Sequence, residues 1–205
     1  MNTKFFCLGR NKTGTTSLQK AFQQLGFHVG DQRSAERLFD QHFFNREFEP
    51  FIEYCHSAQV FQDVPFSYYE VLETIDKAFP KSKFILSVRD SSDQWYDSLV
   101  RFHCKIMGIE GRLPNWEDIT NLSYVSKDLF SKVMTYNGLS EDDPYNKTIM
   151  CRNYERHNRF VINYFKNRPD DLLVINLSKD GAYQKFLNFV GVQSPYDEFP
   201  WENKT

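Results

Sequence analysis

The sequence predicts an α/β fold, a central parallel sheet flanked by helices, on three observations. Strand-like and helix-like segments alternate along the chain. The strand-like runs, such as Phe84-Ile85-Leu86-Ser87-Val88, are almost continuously apolar, as when helices cover both faces of a sheet. The first of them, Phe5-Phe6-Cys7-Leu8, leads directly into a glycine-containing loop and then a segment with Leu18, Ala21, Phe22 and Leu25 on one helical face.

Strands are read at 4–8, 27–29, 59–62, 83–88 and 172–177, and helices at 15–25, 68–78, 93–106, 153–166 and 182–190. Gly26 and Gly191 stand where the first and last helices stop, and Pro169 follows the fourth. Residues 34–56 read as helical and aromatic-rich. Residues 108–144, broken by Gly, Pro and acidic positions, read as a helical insertion that either faces the substrate or covers the surface. No internal repeat or low-complexity segment is present.

A length of 205 residues suits one domain, 1–205, with a core that needs no staples. With 25 Lys+Arg against 27 Asp+Glu the net charge is −2, which excludes a global basic field for nucleic acid or an anionic membrane. An anionic ligand would need a local basic pocket. No run approaches a membrane span, and residues 1–4 enter the first strand without a signal-peptide pattern. The 20 Phe and 11 Tyr are expected to build an aromatic core. Cys7, Cys55, Cys104 and Cys151 are scattered without a CxxC pair, and Cys7 is expected to be a buried small hydrophobe. Asn-x-Ser/Thr triplets begin at Asn11, Asn121, Asn146, Asn176 and Asn203. A glycan at Asn11 would fill the glycine loop and one at Asn176 would disrupt a strand, so a reduced, cytoplasmic setting is expected.

Residues 9–18 read Gly-Arg-Asn-Lys-Thr-Gly-Thr-Thr-Ser-Leu. A strand, a glycine loop and a helix N-terminus in that order turn backbone N–H groups toward an anion. Gly9 and Gly14 have the spacing of a nucleoside-triphosphate loop, but there Lys and Ser/Thr follow the second glycine. Here Thr15 and Thr16 follow it, and the cation, Lys12, precedes it. That order suits an anion other than ATP with Mg²⁺.

Lys12-Thr13-Gly14-Thr15-Thr16-Ser17-Leu18 resembles the 5′-phosphosulfate loop of sulfotransferases, which use 3′-phosphoadenosine 5′-phosphosulfate (PAPS). Three further segments follow in the family's order. Phe84 to Asp90, then Trp95-Tyr96-Asp97-Ser98, is similar to the segment whose Arg and later Ser clamp the 3′-phosphate of PAPS. Ser91 stands where the family has Pro, and Ser98 lies one residue further on than in the cytosolic branch. Asp63-Val64-Pro65 looks like the motif that carries the general base, with a carboxylate in place of imidazole. Tyr154-Glu155-Arg156-His157, the run from Arg168 to Leu177, Phe186 to Gly191, and Phe199-Pro200-Trp201-Glu202-Asn203-Lys204 resemble a soluble subgroup.

The resemblance implies a three-layer P-loop-NTPase-like fold and transfer of a sulfuryl group from PAPS to a small-molecule, sugar or lipid hydroxyl, without a metal. It implies catalytic roles for Lys12 and Asp63, and donor binding by Arg10, Lys12, Thr13, Gly14, Thr15, Thr16, Ser17, Arg89 and Ser98. Lys12 and Arg89 are expected to keep Asp63 ionised. Glu36, Glu47 and His56 are rival bases, and Asp63 also suits a turn before Pro65. Arg156, His157 and Arg159 are read as a solvated helix face. The Arg-Lys-Gly motif of the steroid and phenol enzymes is absent, and Ser17 stands where they have Trp, so Trp201 or Lys204 is expected to help hold adenine. A kinase or NTPase with a degenerate loop would instead make Asp90 a metal ligand. Asp90 also suits the cap of the next helix, which is the expected role. A non-catalytic nucleotide-binding module is the remaining alternative.

Overall fold

The computed structural model describes residues 3–200. Four strands, β1 (Phe5–Cys7), β2 (Val60–Gln62), β3 (Lys83–Ser87) and β4 (Leu172–Ile175), form one all-parallel sheet in the order β2-β1-β3-β4. The register explains much of the phenylalanine content. Phe6 lies beside Phe61 on one side and Phe84 on the other, with ring centroids 5.5 and 5.6 Å apart, so one sheet face carries a row of rings. Each ring is buried and contributes about 2 kcal/mol or more by leaving water. Because side chains alternate, Phe5, Cys7 and Ile85 fall on the opposite face.

Helix α1 (Thr15–Gln24) covers that opposite face, buries Leu18, Ala21 and Phe22, and meets Phe186 of the last helix, here α9 (Ala182–Val190). The row of rings is covered by α2 (Gln32–His42), α3 (Glu49–Tyr54) and α4 (Leu72–Ala78), together with Val161 of α8 (Lys147–Tyr164) and Phe165 just after it. Helices α5 (Ser92–Met107), α6 (Trp116–Asn121) and α7 (Leu129–Tyr136) pack with α8 around Trp95, Leu99, Ile119, Met134 and Tyr154, forming a third apolar cluster.

Several boundaries differ from the sequence reading. Residues 34–56 are not one helix: a 3-10 turn at Phe43–Asn45 and a left-handed Arg46 (φ 61°) separate α2 from α3. The strand expected at 27–29 is a single bridge from Val29 to Val60. Helix α8 begins at Lys147 because Asn146 caps it, its side chain accepting from the Ile149 N–H (2.9 Å). In the 108–144 segment, Asn115 and Asp118 form a reciprocal capping box for α6, and Arg112 grips Asp118 with two bonds (2.6 and 2.9 Å). All four cysteines are free, and burial pushes the Cys7 thiol up to about 12. Trp201 and Lys204 lie outside the described residues. Among the described residues no helix is long and apolar enough to cross a membrane.

The chain leaves β1 toward β2 on one side and later returns to place β3 on the other. Ligands of open parallel sheets bind in the crevice at the carboxyl ends of such strands. The glycine loop after β1, Asp63 after β2 and Arg89 after β3 all stand there.

Candidate active site

The loop between β1 and α1 is pinned by its carbonyls. Thr13 Oγ1 donates to the Arg10 carbonyl (2.6 Å), Trp95 Nε1 to the Asn11 carbonyl (3.0 Å), and Arg89 Nε to the Lys12 carbonyl (2.6 Å). Trp95 is itself stacked on Tyr154, whose hydroxyl accepts from the Arg89 N–H (2.9 Å). Two glycines permit the path. A Cβ on Gly9 would stand 2.0 Å from Ser87 Oγ and 2.7 Å from the Ser87 carbonyl. Gly14 takes a φ of 100°, in the region L side chains avoid.

Leu18 N–H donates to the Gly14 carbonyl (3.0 Å), the first bond of α1. The N–H groups of Thr15, Thr16 and Ser17 therefore have no acceptor within the helix, and no side chain caps them. Added to the helix dipole, they make a site for negative charge. Thr13 does not share in it. Its N–H and its hydroxyl both go to the Arg10 carbonyl, and its oxygen meets Ser87 Oγ (2.7 Å) in the interior. Thr13, expected to bind the anion, here spends both donors on the Arg10 carbonyl and shapes the loop.

Arg10, Lys12, Gly14, Thr15, Thr16, Ser17, Asp63 and Arg89 line one cavity of about 280 Å³. Its cations are without carboxylate partners among the described residues. Arg10 stacks 4.2 Å over Tyr68, Lys12 Nζ sits 4.3 Å over Phe102, and Arg89 spends only its Nε on the loop. Burial lowers the pKa of Lys12, and the neighbouring charges of Arg89, Lys105 and Arg101 lower it further. This is the local basic pocket that a chain of net charge −2 would need.

Asp63 faces the cavity from the end of β2, with a left-handed backbone (φ 58°). Its Oδ1 accepts from the Val64 N–H (2.9 Å) and its carbonyl from the Ser67 N–H (2.8 Å), so the expected turn is formed. Its Oδ2 has no hydrogen-bond partner among the described residues. Desolvation raises its pKa to about 6; Glu36 adds to this, while the Val64 N–H, Arg10 and Lys12 oppose it. Burial outweighs the cations in setting this value, and of the two cations expected to favour the charged form only Lys12 acts on it, joined by Arg10. At pH 7, about one unit above that value, roughly nine-tenths of Asp63 is still ionised.

Of the rival bases only Glu36 lines the cavity. Both its oxygens are occupied, by the Tyr124 hydroxyl (3.0 Å) and by Arg33 (3.1 Å). Glu47 is exposed and paired with His42 (2.8 Å), and His56 is exposed against Phe79. Ser98 lies on the cavity-facing stripe of α5 but behind the wall, buried at 2% exposure, and its hydroxyl has no partner. Asp90 does not cap α5. Ser91 does so, accepting from the Gln94 N–H (3.1 Å), while Asp90 binds Lys179 (2.6 Å) and Asn176 (3.0 Å) outside the cavity. His157 is not on a solvated face with the exposed Arg156 and Arg159. It is fully buried, donates from Nε2 to the Leu8 carbonyl (2.7 Å), and burial lowers its pKa to about 3.

The sequence reading missed Arg101, Lys105, Phe102, Tyr124 and Tyr154. For the α5 residues a signal existed: Trp95, Leu99, Phe102 and Ile106 recur at helical spacing after Arg89, with Arg101 and Lys105 one turn apart. Tyr124 carried none, because its place depends on how the insertion folds back over α2.

A parallel α/β sheet with an uncapped helix after its first strand, and an arginine just past the end of the adjoining one, has the layout of a P-loop-like fold. A family model for the sulfotransferase domain matches residues 4–205. The chain belongs to the sulfotransferase family. None of the curated proteins compared with it matches.

Proposed function

We propose that this protein transfers a sulfuryl group from PAPS to the hydroxyl of a small acceptor. The donor supplies an activated sulfuryl group on a phosphate that leaves as adenosine 3′,5′-bisphosphate (PAP). The residues suit it. The free N–H groups of Thr15, Thr16 and Ser17 bind the 5′-phosphate, with the Thr15 and Thr16 hydroxyls beside them. Arg89 keeps its terminal nitrogens for the 3′-phosphate, whereas Ser98, buried behind the cavity wall, is assigned no contact with it. Lys12 stabilises the charge that grows on the leaving oxygen. Asp63 removes the acceptor proton through Oδ2, the oxygen left free by the turn. The insertion at 108–144 faces the acceptor, since Tyr124, Leu129, Phe130 and Val133 line the cavity. A cytoplasmic setting suits the four free cysteines and the placement of Asn11 on the cavity wall.

One observation carries this reading: a single cavity joins an uncapped helix N-terminus, three cations without carboxylate partners among the described residues, and an unengaged carboxylate oxygen. A thermal-shift comparison tests it. PAP at 100 times its Kd should add about 2.7 kcal/mol, a rise of roughly 5–10 °C for a chain of this size. ATP with Mg²⁺ should add less. A larger shift with ATP and Mg²⁺ than with PAP would favour a kinase.

A further inference from the structure

Beyond the loop the cavity changes character. Its walls there are Phe39, Leu99, Phe130, Val133, Met134 and Leu139, brought together by α2, α5, α7 and the turn after α7. The polar groups there are neutral, and most are already engaged: Tyr124 donates to Glu36, Asn137 to the Val133 carbonyl and Asn153 to the Asn137 carbonyl, and Tyr154 accepts from the Arg89 N–H, beside Ser67, Tyr68 and His103. His103 bonds the Tyr145 hydroxyl through Nδ1 (2.8 Å), and burial lowers its pKa to about 4, so it carries no charge at neutral pH. The cations of the lining, Arg10, Lys12 and Arg89, are on the loop or beside it, where the donor's phosphates would engage them. Two carboxyls, Asp63 and Glu36, also face this space.

We propose that the acceptor is an uncharged, predominantly apolar alcohol or phenol of ring-like build, whose hydroxyl meets Asp63 and whose body fills the chamber under α7. This rests on the sulfotransferase reading and narrows it. An anionic acceptor would face Asp63, which has no cation bonded to it, beside Glu36, whose one ion-pair partner is Arg33. A sugar would press many hydroxyls against walls that offer few partners, leaving them unsatisfied. An apolar body loses nothing polar and gains by leaving water, and aromatic walls favour flat rings.

Calorimetric titration of the PAP-saturated protein with 2-naphthol, N-acetylglucosamine and 4-hydroxybenzoate tests the proposal. 2-Naphthol should bind at least about tenfold more tightly than either of the others. Val133→Phe, which fills the chamber from α7, should weaken 2-naphthol by at least about tenfold while PAP affinity stays unchanged. Retained PAP binding certifies the fold of that variant, and Ile106→Phe replaces it should it not fold. A sugar or benzoate that binds as tightly as 2-naphthol, or a folded filling variant that binds 2-naphthol normally, overturns the acceptor assignment and leaves the sulfotransferase reading in place. Selective 2-naphthol binding in a protein that binds neither PAP nor PAPS supports the chamber and removes the sulfotransferase reading.

Discussion

Asp63→Asn separates two effects of one carboxyl. Burial raises Asp63 to about 6 in the fold, above the roughly 3.9 of an unfolded chain. The native state therefore holds this proton more tightly, and stability is lost as pH rises from about 4 through 6. A shift of roughly two units corresponds to a cost near 3 kcal/mol at pH 7. Asn tolerates the left-handed backbone at φ 58° and can accept the Val64 N–H through its own Oδ1, so the turn survives. The variant should be more stable than wild type at pH 7 by about 1–3 kcal/mol, and the gain should vanish near pH 4. Urea unfolding at the two pH values measures this. In the same variant PAP should still bind while transfer falls by roughly 10²–10⁴-fold. Wild-type kcat/KM should climb as pH rises through about 6, as the base loses its proton. A variant less stable than wild type at pH 7, or one that transfers sulfate normally, refutes the reasoning.

Lys12→Ala should reduce turnover more than PAP affinity, by about 3 kcal/mol of transition-state stabilisation, whereas Arg89→Ala should act mainly on affinity. Equal losses of affinity with turnover intact at saturation would show that the roles are not divided this way. Gly9→Ala drives a methyl into Ser87 and should cost about 1–3 kcal/mol in chemical unfolding and weaken PAP as the loop shifts; normal PAP affinity would count against a loop set by that close approach. His103 and His157 are lowered to about 4 and about 3, so both are neutral in the fold and charge on unfolding below pH 6.5. Their contribution is complete above that pH and is lost as pH falls, at up to about 1.4 kcal/mol per unit for each, with Asp63 opposing below 6. His103→Asn should remove one proton from that slope, and an unchanged slope would contradict the assignment.

The strands were legible because each is short, apolar and closed by a turn residue, and a parallel sheet buried on both faces needs little else. The breaks were harder. Nothing local in Phe43-Phe44-Asn45 announces a 3-10 turn; the interlocked rings of Phe39, Phe43 and Tyr68 impose it. The start of α8 was readable in principle, since Asn146 is a good cap, but the Asp-Asp-Pro run before it reads as loop. In the site, Lys12 was found because it sits in the glycine loop, and Asp63 and Arg89 because each stands just past the end of a strand. The state of Asp63 was not, because it depends on burial and on Glu36, a residue 27 positions earlier that only the fold brings to the same cavity. His157 was misread for the same reason: the Leu8 carbonyl it serves lies at the far end of the chain.

Arg10, Lys12, Arg89, Arg101 and Lys105 gather at one mouth of a molecule whose overall charge is only −2. The rest of the surface is therefore more acidic than that total suggests, and the protein is electrically lopsided. A small dianion diffusing toward it is repelled over most approaches and drawn in at one, where low-dielectric walls focus the field. Its capture rate should fall steeply as ionic strength rises, in a protein that an isoelectric measurement would class as mildly acidic. That steering would act on a small anion at the mouth and fade with distance from it, within about a Debye length.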